Sequence, residues 1–212
     1  MPLARRDSGF VPLFDGESLS GWRVAAAKNL QASSERPFAV CNGAIQARGG
    51  SDIALLWFAS PAPQRYRLRV DWMLTAQDDN SGVFVAFPDP EKQGYDNPAY
   101  AGVDLGFEIQ IDEIARPDGN PVHRTGAVYS FQGPDRLIAT NPPDVWNRFD
   151  ITIDLPQFLV EMNGELINRF QFRGDPCSPR RGLPSTPRQP RFIGLQSHTG
   201  VLHFRNISWK SL

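Results

Sequence analysis

Hydrophobic and polar residues alternate with a period of two along much of this chain. The clearest case is segment 66–74, where large apolar residues occupy every second position: Tyr66, Leu68, Val70, Trp72 and Leu74. Because successive side chains of a β-strand point to opposite faces, this alternation predicts a strand with one buried face. Segment 149–154 has the same pattern and predicts a second strand of this kind.

Segments 158–162 and 165–170 flank Asn163-Gly164, and this dipeptide between two alternating apolar runs predicts a β-hairpin. Further strands are predicted at 38–40, 44–47, 53–58, 82–87, 126–131, 192–197 and 202–209. No stretch of ten or more residues has the 3.6-residue period of a helix. With 18 glycines and 19 prolines among these short strands, the chain is expected to form an all-β sandwich or barrel.

The length of 212 residues fits a single domain, which we place at residues 10–212 after an N-terminal tail at 1–9. Two long segments, 88–104 and 175–191, interrupt the strand pattern. Loops of this length in a compact domain usually form lids, rims or disordered segments. The second segment is rich in proline and arginine and is expected to be a solvated loop.

The net charge of −1 gives no electrostatic reason to expect binding to nucleic acid or to an anionic membrane. No apolar run reaches the length of a membrane-spanning helix. Residues 1–7 include two arginines but lack the apolar segment of a secretory signal, so we expect a cytoplasmic protein, or a secreted or periplasmic one if a signal has been removed. The sequence gives no indication of oligomeric state.

The two cysteines, Cys41 and Cys177, lie far apart and neither belongs to a Cys-x-x-Cys pair. A zinc–thiolate site is therefore not expected, and a single disulfide is allowed but not required. Cys41 follows the apolar Val40 and is expected to be buried.

The acidic segment 108–113 carries the most chemical information. On a strand, Glu108, Gln110 and Asp112 share one face, and the two isoleucines between them face the other way. This polar face is either solvated or the floor of a polar binding cleft. Glu113 falls on the isoleucine face unless a β-bulge re-aims it. With such a bulge, Glu108 and Glu113 would converge as a carboxylate pair for acid/base work on a glycosidic bond.

Eight short motifs, spread in order from Phe10 to Leu212, point to one family. They are Leu13-Phe14-Asp15-Gly16 with Leu19-Ser20-Gly21-Trp22, Asn80-Ser81-Gly82-Val83-Phe84, Phe107-Glu108-Ile109-Gln110-Ile111-Asp112, Thr125-Gly126-Ala127-Val128-Tyr129, Trp146-Asn147, Asn163-Gly164, Gly194-Leu195-Gln196-Ser197-His198 and Phe204-Arg205-Asn206-Ile207. Together they resemble the 3-keto-disaccharide hydrolase domain, formerly a domain of unknown function, within the concanavalin A-like lectin and glucanase superfamily.

The resemblance implies a concanavalin A-like jelly-roll sandwich of two antiparallel sheets, one of them concave and holding the ligand. It also implies a carbohydrate ligand whose C3 hydroxyl has been oxidised to a ketone. Laminarinases and lichenases are similar in architecture and carry the strand motif Glu-x-Asp-x-x-Glu; here Glu108 and Glu113 match its glutamates, but Gln110 replaces the aspartate. A second departure is at Ala86, near which the family often has an arginine.

A C3 ketone acidifies the hydrogen on C2, so a base can remove it and the anomeric group can leave by elimination. This chemistry needs a base near C2, a donor to the enolate oxygen and an acid for the leaving group. Glu108 or His198 is the candidate base, and Glu113 or Asp112 the candidate acid. The remaining candidates would bind sugar hydroxyls or stack on sugar rings: Asn80, Gln110, Gln196, Arg205, Tyr129 and Trp146.

No cofactor is assigned. The carboxylates of this sheet are compatible with Ca²⁺ or Mn²⁺, but no segment has the ligand spacing of a known cation loop, so no metal ligand is named. An enzyme that cleaves 3-keto glycosides, by elimination and hydration or by hydrolysis, is the favoured hypothesis. The alternatives are a non-catalytic carbohydrate-binding sandwich and a protein-interaction sandwich with an exposed apolar patch.

Overall fold

Two antiparallel β-sheets pack face to face in the computed structural model, which describes residues 9–28, 36–174 and 190–212. The strands are β1 (Val11–Pro12), β2 (Trp22–Ala26), β3 (Phe38–Cys41), β4 (Ala44–Arg48), β5 (Ala54–Phe58), β6 (Arg65–Leu74), β7 (Asn80–Phe87), β8 (Phe107–Asp112), β9 (Asn147–Asp154), β10 (Gln157–Met162), β11 (Glu165–Gln171), β12 (Phe192–Ser197) and β13 (Val201–Ser211). The α-helix α1 (Tyr100–Leu105) and short 3-10 turns at Pro90–Lys92 and Pro121–His123 lie in the connections.

The larger sheet has the strand order β11-β10-β9-β6-β13-β4-β3, with β1 paired to β13. The smaller sheet has the order β2-β5-β12-β7-β8. Every pairing between these strands is antiparallel. The prediction of an all-β sandwich with two antiparallel sheets is therefore confirmed.

The main hydrophobic core lies between the two sheets. From β6, Leu68, Val70 and Trp72 are all 0% exposed within this core, as the alternation predicted. Phe149 on β9 packs against Trp72 with ring centroids 5.2 Å apart. Fully burying an apolar side chain of this size stabilises the folded state by about 1.5–3 kcal/mol. The alternation is therefore enough to determine which face of each strand packs on the core.

The predicted hairpin is present between β10 and β11. Asn163 and Gly164 form its turn, with φ values of 52° and 86°. Left-handed φ at both central residues is what a two-residue hairpin turn of the favoured twist requires. The alternation and the dipeptide together thus specified both strands and their connection.

A second, smaller apolar cluster lies on the outer face of the smaller sheet. It includes Trp57, Phe84, Phe87 and Phe192 from the strands and Ala99 from the segment that leads into α1. Part of segment 88–106 therefore covers this face, so of the lid, rim or disordered segment expected at 88–104 the structure has an ordered covering segment. At six residues, α1 is too short to have produced a periodic pattern.

Two local expectations are wrong. Segment 126–131 was predicted as a strand, but Val128 makes only isolated bridges to Ile109 and Gln132. Its backbone turns at Gly126 and Ser130, whose φ values of 82° and 62° do not occur in an extended strand. Cys41 was expected to be buried but is exposed as a free thiol at the end of β3.

Cys177 and most of the proline-rich segment lie outside the described residues. Strands β1 and β2 were not predicted, since neither has a clear alternation. No helix among residues 9–28, 36–174 and 190–212 is long and apolar enough to cross a lipid bilayer.

Candidate active site

A cavity of about 200 Å³ lies on the outer face of the smaller sheet, beside α1. We call it the Glu108 cavity. Its lining includes a group of residues that the sequence analysis named: Asn80, Glu108, Gln110, Tyr129, Gln196 and His198. Ile53, Tyr100 and Val103 complete the wall.

Three neighbouring strands place these side chains together. In the ladder between β7 and β8, Asn80 pairs with Asp112 and Gly82 with Gln110. The residues of β8 that alternate with Glu108 and Gln110, such as Ile109, lie in the main core, so the polar side chains point outward. Glu108 and Gln110 are nevertheless only 4% and 2% exposed. This polar face is thus the floor of a cleft, and the alternative of a solvated strand is excluded.

The absence of a side chain at Gly82 leaves the space that the Glu108 side chain occupies. A Cβ added at Gly82 would lie 2.7 Å from Cγ and 2.9 Å from Cδ of Glu108. Real Cβ atoms do not approach other heavy atoms so closely, so any side chain at this position would displace the carboxyl group. The glycine of Asn80-Ser81-Gly82 is therefore required by packing across the sheet, which its position in the sequence did not reveal.

A chain of side-chain amides fixes the orientation of the cavity floor. Asn80 Nδ2 donates to Asp112 Oδ2 over 3.1 Å, and Gln110 Nε2 donates to Asn80 Oδ1 over 3.2 Å. Because an ionised Asp112 can only accept, it fixes which end of Asn80 faces it, and Asn80 in turn fixes Gln110. Gln110 Oε1 is left as an acceptor without a donor in the described part of the chain, as is Gln196 Oε1. Two buried acceptors beside a carboxylate suit a ligand with several hydroxyl donors.

Comparison with known proteins adds a decisive observation. Residues 9–210 match the family described as the 3-keto-alpha-glucoside-1,2-lyase-like domain. The chain belongs to this family. Among curated proteins, none matches the chain with significance.

Solved structures confirm the fold expected for this 3-keto-glucoside lyase-like domain. A proposed glycosyl hydrolase from Parabacteroides distasonis superposes with a TM-score of 0.75 at 20% identity, covering 100% of this chain and 98% of that one. A protein of unknown function with a galectin-like fold from Bacillus subtilis gives 0.62 at 11% identity, with 97% of each chain covered. The carbohydrate-binding module CBM66 from Bacillus subtilis gives 0.55 at 8% identity, covering 90% of this chain and 96% of that one. At these identities the similarity establishes the concanavalin A-like or galectin-like sandwich and nothing finer.

His198 lies just after β12, exposed at the mouth of the cavity. Loss of solvent on the packed side of its ring lowers the pKa of His198, and the positive charge of Arg116 lowers it further. The carboxylates of Asp112 and Asp52 act in the opposite direction but do not compensate. His198 is therefore neutral at pH 7 and can accept a proton.

We expect His198 to titrate below its ordinary value of 6.5. Since protonation is then easier in the unfolded chain, its contribution to stability is fully present above the unfolded pKa and is lost as the pH falls. Carbon-detected NMR of the histidine rings would measure the pKa, with His198→Gln assigning the resonance. A midpoint at or above 6.5 would contradict this account of the cavity mouth.

Tyr100 links α1 to the segment before β5. Its hydroxyl donates to Asp52 Oδ1 over 3.1 Å, and Asn97 Nδ2 donates to Asp52 Oδ2 over 2.8 Å. Burial is the first cause that raises the pKa of Tyr100, and the hydrogen bond to Asp52 is the second. The phenol is therefore protonated at neutral pH, with its single O–H donated to Asp52 and its oxygen left as an acceptor at the cavity wall.

His123 supports the Tyr129 wall, a role that the sequence analysis missed. The two rings pack with centroids 4.9 Å apart, and His123 Nδ1 lies 2.9 Å from Asp118 Oδ1. A backbone N–H from Asn120, and then His123, lower the pKa of Asp118. No sequence signal connects positions 123 and 129, because the 3-10 turn at Pro121–His123 brings them together.

The candidate acids do not stand at the cavity surface. The register between β7 and β8 runs without a shift from Phe107 to Asp112, so no bulge re-aims Glu113. Glu113 is half-buried beyond the end of the strand and does not line the cavity. Asp112 is 0% exposed and accepts from four N–H groups, on Asn80 Nδ2, Ile114 N, Arg116 N and Arg116 Nε.

Trp146 and Arg205, expected at the sugar site, lie on the larger sheet instead. The Arg205 guanidinium stacks over the Trp146 ring at 3.9 Å, beside a separate groove. The position near which the family often has an arginine, Ala86, is 2% exposed, and its carbonyl accepts a hydrogen bond from Arg191. Within the described residues, no group of three or more His, Cys, Asp or Glu side chains is arranged to hold a metal ion.

Proposed function

We propose that this protein cleaves 3-keto glycosides by elimination in the Glu108 cavity and releases the aglycone. One observation carries the proposal: a buried carboxylate, placed by Gly82, lies among amide acceptors in a cavity of about 200 Å³. Membership of the 3-keto-alpha-glucoside-1,2-lyase-like family supports the same chemistry.

Glu108 acts as the base. Its carboxylate removes the proton from C2, and the electron pair of that C–H bond becomes the enolate of the C3 ketone. The C1–O bond then breaks as the ketone re-forms, which leaves a C1–C2 double bond in the sugar and a proton to be delivered to the departing oxygen. Neither this elimination nor the later addition of water requires a second buried carboxylate.

The other cavity residues complete the set of donors and acceptors. Gln110 Oε1 and Gln196 Oε1 would accept from sugar hydroxyls and hold the ring against Glu108. Glu108, protonated after it has taken the C2 hydrogen, delivers that proton to the leaving oxygen, because the single O–H of Tyr100 is already donated to Asp52. Neutral His198 at the mouth would accept a proton from the water that later adds to the double bond.

The proposal is tested by incubating the purified protein with 3-keto-trehalose or a 3-keto glucoside and measuring aglycone release by mass spectrometry. Unoxidised trehalose is the matched control, because without the ketone its C2 hydrogen is not acidic. We expect release from the keto sugar alone. Parallel reactions with EDTA, Mn²⁺ or Ca²⁺ would report any dependence on a divalent cation.

A non-catalytic sugar-binding sandwich is the second candidate function. It is favoured by Gln110, which stands where the similar glucanases carry the middle carboxylate of their motif. A rise in melting temperature on adding the keto sugar, without release of the aglycone, would select this reading. Neither release nor a thermal shift would contradict both candidates.

A further inference from the structure

A second concave surface lies on the outer face of the larger sheet. We call it the Trp146 groove; it has a volume of about 470 Å³ and is lined by Asp71, Trp146, Asn147, Arg148, Asp150, Asn163 and Gly164. We propose that the Trp146 groove is a second binding site, specific for neutral saccharides and separate from the Glu108 cavity. Its volume is in the range of small-molecule sites, about 300–1,000 Å³.

The hydrophobic core separates the two sites. Asp71 lies between Val70 and Trp72, which are 0% exposed in the core, so its side chain points away from the smaller sheet. Glu108 likewise points away from the core on the other sheet, between Phe107 and Ile109. A ligand in the Trp146 groove therefore cannot be the part of the substrate that reacts at Glu108.

The charged residues that line the groove argue for a neutral ligand. Asp71 is 4% exposed and pairs with Arg148, whose Nε and Nη2 lie 2.6 and 3.1 Å from its two oxygens. This hydrogen bonding raises the pKa of Arg148. Asp150 is likewise paired, with Arg69 Nε 2.9 Å and Arg67 Nε 3.3 Å from its Oδ1. The groove lining itself holds two carboxylates, Asp71 and Asp150, and one guanidinium, Arg148, so it has no excess positive charge for a phosphate or carboxylate ligand.

Trp146 provides the apolar element. Its indole is half-buried in the groove wall and is held by the stacked guanidinium of Arg205. A guanidinium stacked over a ring directs its N–H groups sideways, past the ring edge, where they can still donate hydrogen bonds. Arg205 covers one face of the indole, so a sugar would pack its C–H groups on the part of the ring that lines the groove while its hydroxyls reach the polar side chains.

Two buried donors at the groove have no hydrogen-bond acceptor in the part of the chain that the structure describes. One is Asn147 Nδ2, on a residue that is 1% exposed. Its amide cannot be turned over, because Oδ1 already accepts from Asn141 N at 2.8 Å and Asn163 Nδ2 at 2.9 Å. The other is Arg205 Nε, which lies 3.9 Å from Asp71 Oδ2. Sugar hydroxyl oxygens would supply the acceptors that such groups require.

The test follows the indole N–H signals of ¹⁵N-labelled protein by NMR during titration with trehalose and with maltose. We expect the Trp146 signal to shift with a Kd of about 1–10 mM, while the signal of Trp22, buried on the smaller sheet, stays in place. Glucose 6-phosphate serves as the anionic probe and should bind more weakly than the neutral sugars. The full chain is used throughout.

Three variants test the Trp146 ring and its Arg205 stack. Because the variants at position 146 lack the Trp146 indole, their binding is followed by the backbone amide signals of Asn147 and Gly164, which also line the groove. Trp146→Phe keeps an aromatic face and should retain affinity within about threefold, whereas Trp146→Ala should weaken it by about tenfold or more. Arg205→Lys keeps the charge but loses the planar stack and should weaken binding if Trp146→Ala fails to fold. The proposal is overturned if no sugar shifts the Trp146 signal at about 50 mM, if Trp146→Ala and Arg205→Lys both bind like the parent protein, or if the anionic probe binds best.

Discussion

Replacing Glu108 with glutamine is expected to lower kcat for aglycone release from a 3-keto glucoside by about 10²–10⁴-fold. The substitution keeps the volume of the side chain and its place over Gly82, but glutamine cannot accept the C2 proton. Because the amide acceptors Gln110 and Gln196 are untouched, KM should change much less than kcat. Steady-state kinetics on the keto sugar would measure both.

Glu113→Gln is the matched control, since it makes the same chemical change at a half-buried position outside the Glu108 cavity. Its kcat should stay within about twofold of the parent value, because surface changes away from special features have small effects. Equal losses in the two variants would refute the assignment of the base to Glu108. Circular dichroism and melting curves would show that both variants fold.

The alternation of apolar residues predicted most strands because a period of two is a local property of the chain. It oriented β6 and β9 correctly, and it placed Glu108 and Gln110 on one face of β8, where the structure places them. The same rule could not indicate whether that face was solvated. What covers it is segment 88–106, whose six-residue helix is too short to have its own period.

Strand alternation also does not specify which sheet a strand joins. Trp146 and Arg205 belong to family-like motifs and were therefore expected beside Glu108. Trp146 immediately precedes β9 and Arg205 lies on β13. Both strands pair with β6 in the larger sheet, so both residues lie on the opposite side of the core. Pairings between distant strands determine this placement, and a single sequence does not show them.

Asp112 was expected to contact the ligand, but in the structure it is buried below the cavity floor and orients the residues above it. The sequence placed Asp112 on the same face as Glu108 and made it a candidate acid. In the structure its two oxygens receive four N–H groups, including two from Arg116, and it is 0% exposed. A carboxylate in this state orients Asn80 and Gln110 instead of reaching the ligand.

Asp112→Asn is therefore expected to reduce stability first and activity second. Asparagine retains one oxygen and adds its own N–H groups. With that oxygen at the Oδ2 position, where three of the four donors converge, the Ile114 N–H loses its acceptor and faces an N–H group instead. Arg116, with its side chain about one-third exposed, also loses its charged partner. We expect the free energy of unfolding to fall by about 2–4 kcal/mol and the melting temperature by about 5–15 °C.

The control for this change is Asp78→Asn, an exposed aspartate whose backbone carbonyl accepts from the same Arg116. It should leave the melting temperature nearly unchanged. Below the melting transition, Asp112→Asn should keep more activity than Glu108→Gln, because the base is still present and only the orientation of Asn80 and Gln110 is loosened. An Asp112→Asn protein of unaltered stability and no activity would instead mean that the Asp112 carboxyl group takes part in the reaction. The order of the two effects thus distinguishes a residue that positions the cavity floor from one that transfers a proton.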